Sequence, residues 1–78
     1  MRERLAALAH TMWSGWMNYL FSKCEFWSDG SARIPPWAVE RWKRQAATPY
    51  AELPEDEKQS DRAEADKMIA ILFPVLDN

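Results

Sequence analysis

The sequence has few of the residues that give small proteins covalent or metal-based stability. Its single cysteine, Cys24, excludes an internal disulfide. Its single histidine, His10, and the lack of a cysteine or carboxylate cluster argue against a zinc site. With only two glycines, it also has no glycine-rich phosphate loop. A chain of 78 residues buries only about 60% of its unfolded surface, so its stability depends on aromatic packing or on association.

Long hydrophobic runs are also missing. The most apolar stretch, residues 5–21, is interrupted by four polar residues, which are His10, Thr11, Ser14 and Asn18. This stretch is too short and too polar to predict a membrane span. The N-terminus MRERLAALAH has neither the apolar core nor the cleavage site of a signal peptide. Together with the unpaired cysteine, these features predict a soluble, cytoplasmic protein with no membrane partner.

Acidic and basic side chains are nearly equal in number, but they are unevenly distributed along the chain. The net charge is −2; residues 1–47 carry seven basic and four acidic side chains, and residues 48–78 carry three and eight. The segment ERWKRQ, with Arg33, interleaves basic residues with a tryptophan, but Glu40 lies on the same helical face. A protein with a net negative charge has no overall positive electrostatic field that would attract nucleic acid. Nucleic-acid binding therefore ranks third among the functions that we consider.

Aromatic residues are abundant, with five Trp, three Phe and two Tyr, and apolar residues recur at helical spacing. The pattern predicts helices over about residues 2–24, 36–47 and 54–73. Pro35 and Pro36 favour the start of the second helix, and Asp29-Gly30 indicates a turn between the first two. We therefore predict one mainly all-α domain over residues 1–78, a compact three-helix fold with an ordered loop or short hairpin at about residues 26–34.

The last predicted helix places charges in line with its apolar stripe. At 100° per residue, Ala65, Met68, Ile69 and Leu72 share one side. Continuing this side toward the N-terminus adds Lys58, Asp61 and Arg62. One interpretation is the floor of a pocket for a ligand with an aromatic ring and an anionic group. The alternative is that the first two turns extend into water, where such a cluster contributes little stability.

Catalysis is not predicted. No Ser, His and Asp order suggests a triad, and His10 and Cys24 are about 20 Å apart along one helix by helical rise. His10 is better interpreted as a packed or hydrogen-bonded residue. We expect a protein that is not an enzyme and that has no cofactor and no metal.

The segment TPYAELPEDEKQSDRAEADKMIAIL resembles the second half of the ryanodine-receptor repeat, or RyR domain. The matching features are Pro49-Tyr50, Leu53-Pro54-Glu55, Glu57-Lys58 and Asp61-Arg62, which lead into an amphipathic helix. In the first helix, His10 followed by Trp13 in AHTMW is similar to a His and a Trp three residues apart in that family. The resemblance covers about residues 5–24 and 48–72. Where channel repeats have Gly-Trp-x-Tyr-Gly, this chain has YLFSKCEFWSDGS, and it inserts the helix PWAVERWKRQ.

This resemblance implies a nucleotide-related function. Paired repeats in the channels form a cleft for an adenine nucleotide, whose base stacks on the tryptophan that corresponds to Trp13. Small stand-alone bacterial and phage versions have been proposed to sense or sequester nucleotide-derived signals, including those of antiviral defence. With one repeat per chain, a homodimer is the expected way to rebuild the paired cleft. The candidate ligand-binding residues are Trp13, His10, Tyr50, Lys58, Asp61 and Arg62.

A second interpretation needs no small ligand. The apolar surface of the first helix, together with an exposed Trp37, would dock a protein partner, and the chain would act as a protein–protein interaction module.

Overall fold

Three helices and a small hairpin make up the protein. A computed structural model describes residues 1–74. The elements are α1 (Arg2–Lys23), β1 (Glu25–Phe26), β2 (Ala32–Arg33), α2 (Pro36–Ala47), a 3-10 helix (Tyr50–Glu52) and α3 (Glu55–Leu72). The mainly α prediction is confirmed, and the predicted helix bounds agree with the observed ones to within one residue. The last four residues of the predicted domain lie outside the described residues.

The hairpin is the loop that the Asp29-Gly30 signal predicts. Glu25 pairs with Arg33 and Phe26 with Ala32 in an antiparallel register. Gly30 has a φ of 90°, in a region that residues with a Cβ rarely adopt. Asp29 fixes the turn, because its Oδ1 accepts hydrogen bonds from the backbone N–H of Ser31 at 2.9 Å and from the Ser31 hydroxyl at 2.6 Å. These bonds hold the pKa of Asp29 below its ordinary value.

Prolines define where α2 and α3 begin. Pro35 is the N-cap of α2, Pro36 opens the helix, and the Pro35 carbonyl accepts the N–H of Ala38 at 3.0 Å. Pro54 precedes α3 in the same way and accepts the N–H of Lys58 at 3.0 Å. The N–H groups of the first helical turn have no acceptor within the helix. Proline fits these positions because the N–H that it lacks is not needed there.

The chain folds as two units. The first comprises Met1–Ser14 and the chain from Pro54 on, and the second comprises Gly15–Leu53. The first unit therefore contains the N-terminal part of α1 together with α3. The second contains the rest of α1, the hairpin, α2 and the 3-10 helix, and Tyr19 of α1 lies 6.2 Å from Trp42 of α2, ring centroid to ring centroid.

Burial is sparse in both units. Within residues 1–74, the buried residues are Pro35, Ala38 and Glu57. In α2, Ala38 is buried and Val39 and Trp42 are half-buried, whereas Ala46 on the same side is exposed. In α1, five large apolar residues are half-buried, namely Leu5, Leu8, Met12, Met17 and Leu20.

The structure exposes most of the α3 side on which the sequence places the apolar stripe and the three charges, although Lys58 on that side is half-buried. Its four apolar residues, Ala65, Met68, Ile69 and Leu72, are all exposed. The more buried side of α3 instead carries Glu57, Glu64 and Ile71, which share a face because they are seven residues apart. A search that follows apolar residues alone misses this side, since two of its three members are carboxylates.

The two glycines provide a matched test of this backbone. Replacing Gly30 by Ala should lower the free energy of unfolding by about 1–2 kcal/mol, because a Cβ disfavours positive φ. Replacing Gly15 by Ala should raise it by about 0.5–1 kcal/mol, because Gly15 lies inside α1 and alanine is the better helix former. A Cβ at either position meets nothing within 4 Å, so backbone conformation alone sets the sign. Urea unfolding followed by tryptophan fluorescence measures both changes in the free energy of unfolding. Changes of the same sign in the two variants would contradict the turn geometry.

Candidate functional site

Trp13 is the most prominent candidate residue. Its side chain lies on α1 in the first unit and is 60% exposed. One helical turn before it, the ring of His10 stacks against the indole at 6.0 Å between centroids, with 29° between the planes. His10 is exposed rather than packed, and its Nε2 lies 3.4 Å from the Ser14 hydroxyl oxygen. The imidazole thus supports one side of the indole, which still presents a large exposed surface.

Lys58 and Arg62 lie at the start of α3, also in the first unit. The Lys58 side chain is only 18% exposed, whereas that of Arg62 is 43% exposed. Because the two residues are one turn apart, their charges lie on one side of the helix. Like charges at this spacing are mildly destabilising, and a nearby anion offsets this effect.

That anion is the carboxylate of Glu55, the first residue of α3. Its Oε2 accepts a hydrogen bond from Arg62 Nη1 at 3.0 Å, and its Oε1 lies 4.0 Å from Lys58 Nζ. The hydrogen bond from Arg62 and the Arg62 charge hold the pKa of Glu55 below its ordinary value. Each oxygen of one carboxylate therefore faces one of the two cations. Sequence reasoning missed this role of Glu55, although its spacing of three and seven residues from the cations could have indicated it.

The remaining candidates are less directly connected. Asp61 is exposed on α3 between Lys58 and Arg62. Tyr50 begins the 3-10 helix and belongs to the second unit, whereas the other five candidates belong to the first. The cluster that the structure assembles on α3 consists of Glu55, Lys58 and Arg62, with Gln59 accepting a second, longer hydrogen bond from Arg62 at 3.4 Å.

A second surface lies on α2, in the second unit. Trp37 is 48% exposed and meets Trp42 edge-on, with 6.3 Å between ring centroids. It borders an open depression of about 450 Å³ that is also lined by Glu40, Arg41 and Arg44. This surface combines an accessible indole with two guanidinium groups.

Residues 1–74 contain no group of three or more His, Cys, Asp or Glu side chains placed to hold a metal ion. Among the same residues, no helix is both long enough and apolar enough to cross a bilayer.

Comparison with known proteins gives no match: no protein-family model, no curated protein and no solved structure is similar enough to this chain to indicate its family.

Proposed function

We propose that this protein is a non-catalytic module that binds a nucleotide or a nucleotide-derived signalling molecule as a homodimer. The observation that carries the proposal is the exposed indole of Trp13, supported on one side by His10. An exposed indole leaves a large apolar surface in contact with water. Its flat ring is also a favourable surface on which a nucleobase can stack.

The proposed ligand combines a base with an anionic group. Stacking a base on an aromatic ring contributes about 1–3 kcal/mol, and the indole of Trp13 provides the ring. Lys58 and Arg62 provide donors of the kind that bind phosphate, and in the free protein they hold the Glu55 carboxylate. A phosphate would compete with this carboxylate for the same two cations. Asp61 would accept hydrogen bonds from ribose hydroxyls. The resemblance to the RyR domain also implies Tyr50, which belongs to the second unit.

A homodimer brings two copies of Trp13 to one ligand. A twofold axis makes each copy contribute the same surface, so two indoles would sandwich one base. In a bacterial or phage setting, such a module would sequester or sense a signal used in antiviral defence, as the resemblance implies. The proposal takes the protein to be cytoplasmic, which the unpaired cysteine favours.

Replacing Trp13 by Ala should weaken nucleotide binding at least tenfold, because the stacking surface is lost. Isothermal titration calorimetry with adenine nucleotides, cyclic dinucleotides and ADP-ribose derivatives measures the dissociation constants. Trp27→Ala is the control, since Trp27 is another exposed indole, 50% exposed, in the hairpin loop. Binding by none of these ligands would refute the proposed function, and equal losses in both variants would remove Trp13 from the site.

Replacing Glu55 by Gln should tighten binding of an anionic ligand by roughly two- to fivefold, because an exposed ion pair that competes with the ligand is removed. The control is Glu64→Gln, which removes the same charge from α3 but breaks a pair with Lys67 at 3.2 Å rather than the pair with the candidate cations. The same titrations measure the effect at low ionic strength. Equal changes in the two variants would show that net charge, and not release of Lys58 and Arg62, is responsible.

The alternative function is a protein–protein interaction module, and the α2 surface favours it. Trp37 is a large apolar anchor beside Arg41 and Arg44, and buried Trp and Arg side chains commonly dominate binding interfaces. Two guanidinium groups against the one carboxylate of Glu40 favour a protein segment that carries an apolar side chain next to a carboxylate. No small ligand would bind in this case.

Under this alternative, Trp37→Ala should abolish binding of a protein partner, whereas Arg62→Ala should leave it unchanged. A pulldown identifies the partner, and titration of the purified partner by fluorescence anisotropy measures the loss. Trp27→Ala again controls for removal of an exposed indole. A partner that tolerates Trp37→Ala would exclude the α2 surface as its docking site.

A further inference from the structure

Four aromatic rings of the second unit form a connected row along α1 and α2. The Trp16 and Tyr19 rings of α1 meet edge-on, with 6.3 Å between their centroids. Tyr19 lies 6.2 Å from Trp42 of α2, which in turn lies 6.3 Å from Trp37. Trp42 is half-buried, whereas Trp16, Tyr19 and Trp37 are 50%, 39% and 48% exposed. We refer to these four residues as the ring row, which presents three rings to other molecules.

Positive charges lie at both ends of the ring row. On α1, Lys23 Nζ lies 5.4 Å from the centroid of the Tyr19 ring. On α2, the open depression beside Trp37 is lined by two guanidinium groups, those of Arg41 and Arg44, against one carboxylate. The pairing of an exposed ring with a cation therefore occurs twice, once on each helix.

The acidic side chains of the second unit other than Glu40 belong to the hairpin and the 3-10 helix. Glu25 lies 3.8 Å from Arg33 in the hairpin, Asp29 is held in the turn by Ser31, and Glu52 ends the 3-10 helix. Residues 15–53 carry five basic and four acidic side chains. The net negative charge of the chain therefore comes from the first unit and not from the one that carries the ring row.

We propose that the ring row binds a single-stranded nucleic acid, with bases on Trp37 and Trp16 and phosphates at Arg41 and Lys23. Sites for single strands combine cations that follow the backbone with aromatic rings on which bases stack. Each nucleotide of a strand offers a flat ring and an anion, and the ring row repeats the complement of this pair. A mononucleotide would occupy only one end. The repeat also favours a strand over the protein segment of the alternative function, which would need only the Trp37 end.

This inference goes beyond the proposed function, because it uses the second unit and does not involve Trp13. It also sets two properties of the binding. Affinity should fall as salt rises, since phosphate contacts release counterions. A duplex should bind more weakly than a single strand, because its bases are stacked and paired and offer no free ring face.

Fluorescence anisotropy of a labelled oligothymidine strand of about 12 nucleotides, titrated with the full chain at low ionic strength, tests the inference. Trp37→Ala and Trp16→Ala should each raise the dissociation constant at least fivefold, because each removes a stacking surface. Trp27→Ala, which removes an exposed indole of the hairpin loop, should leave it unchanged. Trp13→Ala should also leave it unchanged, so that this inference and the proposed function fail separately. No binding, or a loss in Trp13→Ala but not in Trp37→Ala, would overturn the inference.

A charge variant provides a test that does not depend on the packing of the rings. Arg41→Gln should lower the slope of the logarithm of affinity against the logarithm of salt concentration by about 0.7, the value for one phosphate contact with a single strand. Lys43→Gln is the matched control, because Lys43 is also exposed on α2 but, two residues on, lies on a different side. Equal slopes in the two variants, or equal affinity for a duplex, would assign the binding to net charge and overturn the inference.

An acidic peptide that contains a tryptophan tests the competing occupant of this surface. Binding of the peptide that depends on Trp37, with no binding of the oligonucleotide, would overturn the inference and leave the α2 surface to the protein partner of the alternative function.

Discussion

The structure is governed by an excess of large apolar side chains over the positions where they can be buried. Ten aromatic residues occur in 78, yet within residues 1–74 only Pro35, Ala38 and Glu57 are buried. Small chains have a high ratio of surface to volume, and here neither a disulfide nor a metal compensates among the described residues. Contact with another molecule, as in the functions proposed above, would bury part of this exposed apolar surface.

The exposed apolar groups differ in their surroundings, and this difference separates their proposed roles. Trp13 is braced by His10, and the first unit that contains it also contains the Lys58 and Arg62 cations, which suits a ligand with a flat ring and an anionic group. The apolar residues on the exposed side of α3, which are Ala65, Met68, Ile69 and Leu72, carry no charge and suit contact with another apolar surface. Trp37 lies next to guanidinium groups, which suits an acidic protein segment. In the free protein, the carboxylate of Glu55 pairs with both of these cations. An anionic ligand would therefore have to replace Glu55.

Much of the secondary structure was predictable, and the burial was not. Pro35-Pro36, Pro54 and the Asp29-Gly30 signal indicate where elements begin or turn. They act through local backbone geometry, which does not depend on the rest of the fold. The covered side of α3 could not be predicted, since periodicity identifies an apolar face but not what covers it. Here the covered side carries Glu57 and Glu64, and the apolar side is exposed. The six candidate site residues were selected partly by resemblance to the RyR domain; the structure adds Glu55, whose role depends on side-chain conformations that a helical wheel does not give.

Native mass spectrometry of the protein purified from its expression host tests the central claim most directly, because one spectrum reports both the number of chains and any bound small molecule. The account predicts two chains carrying a ligand whose mass and fragmentation identify a nucleobase and a phosphate. A single chain with no ligand, which remains so when nucleotides are added at millimolar concentration, would contradict it.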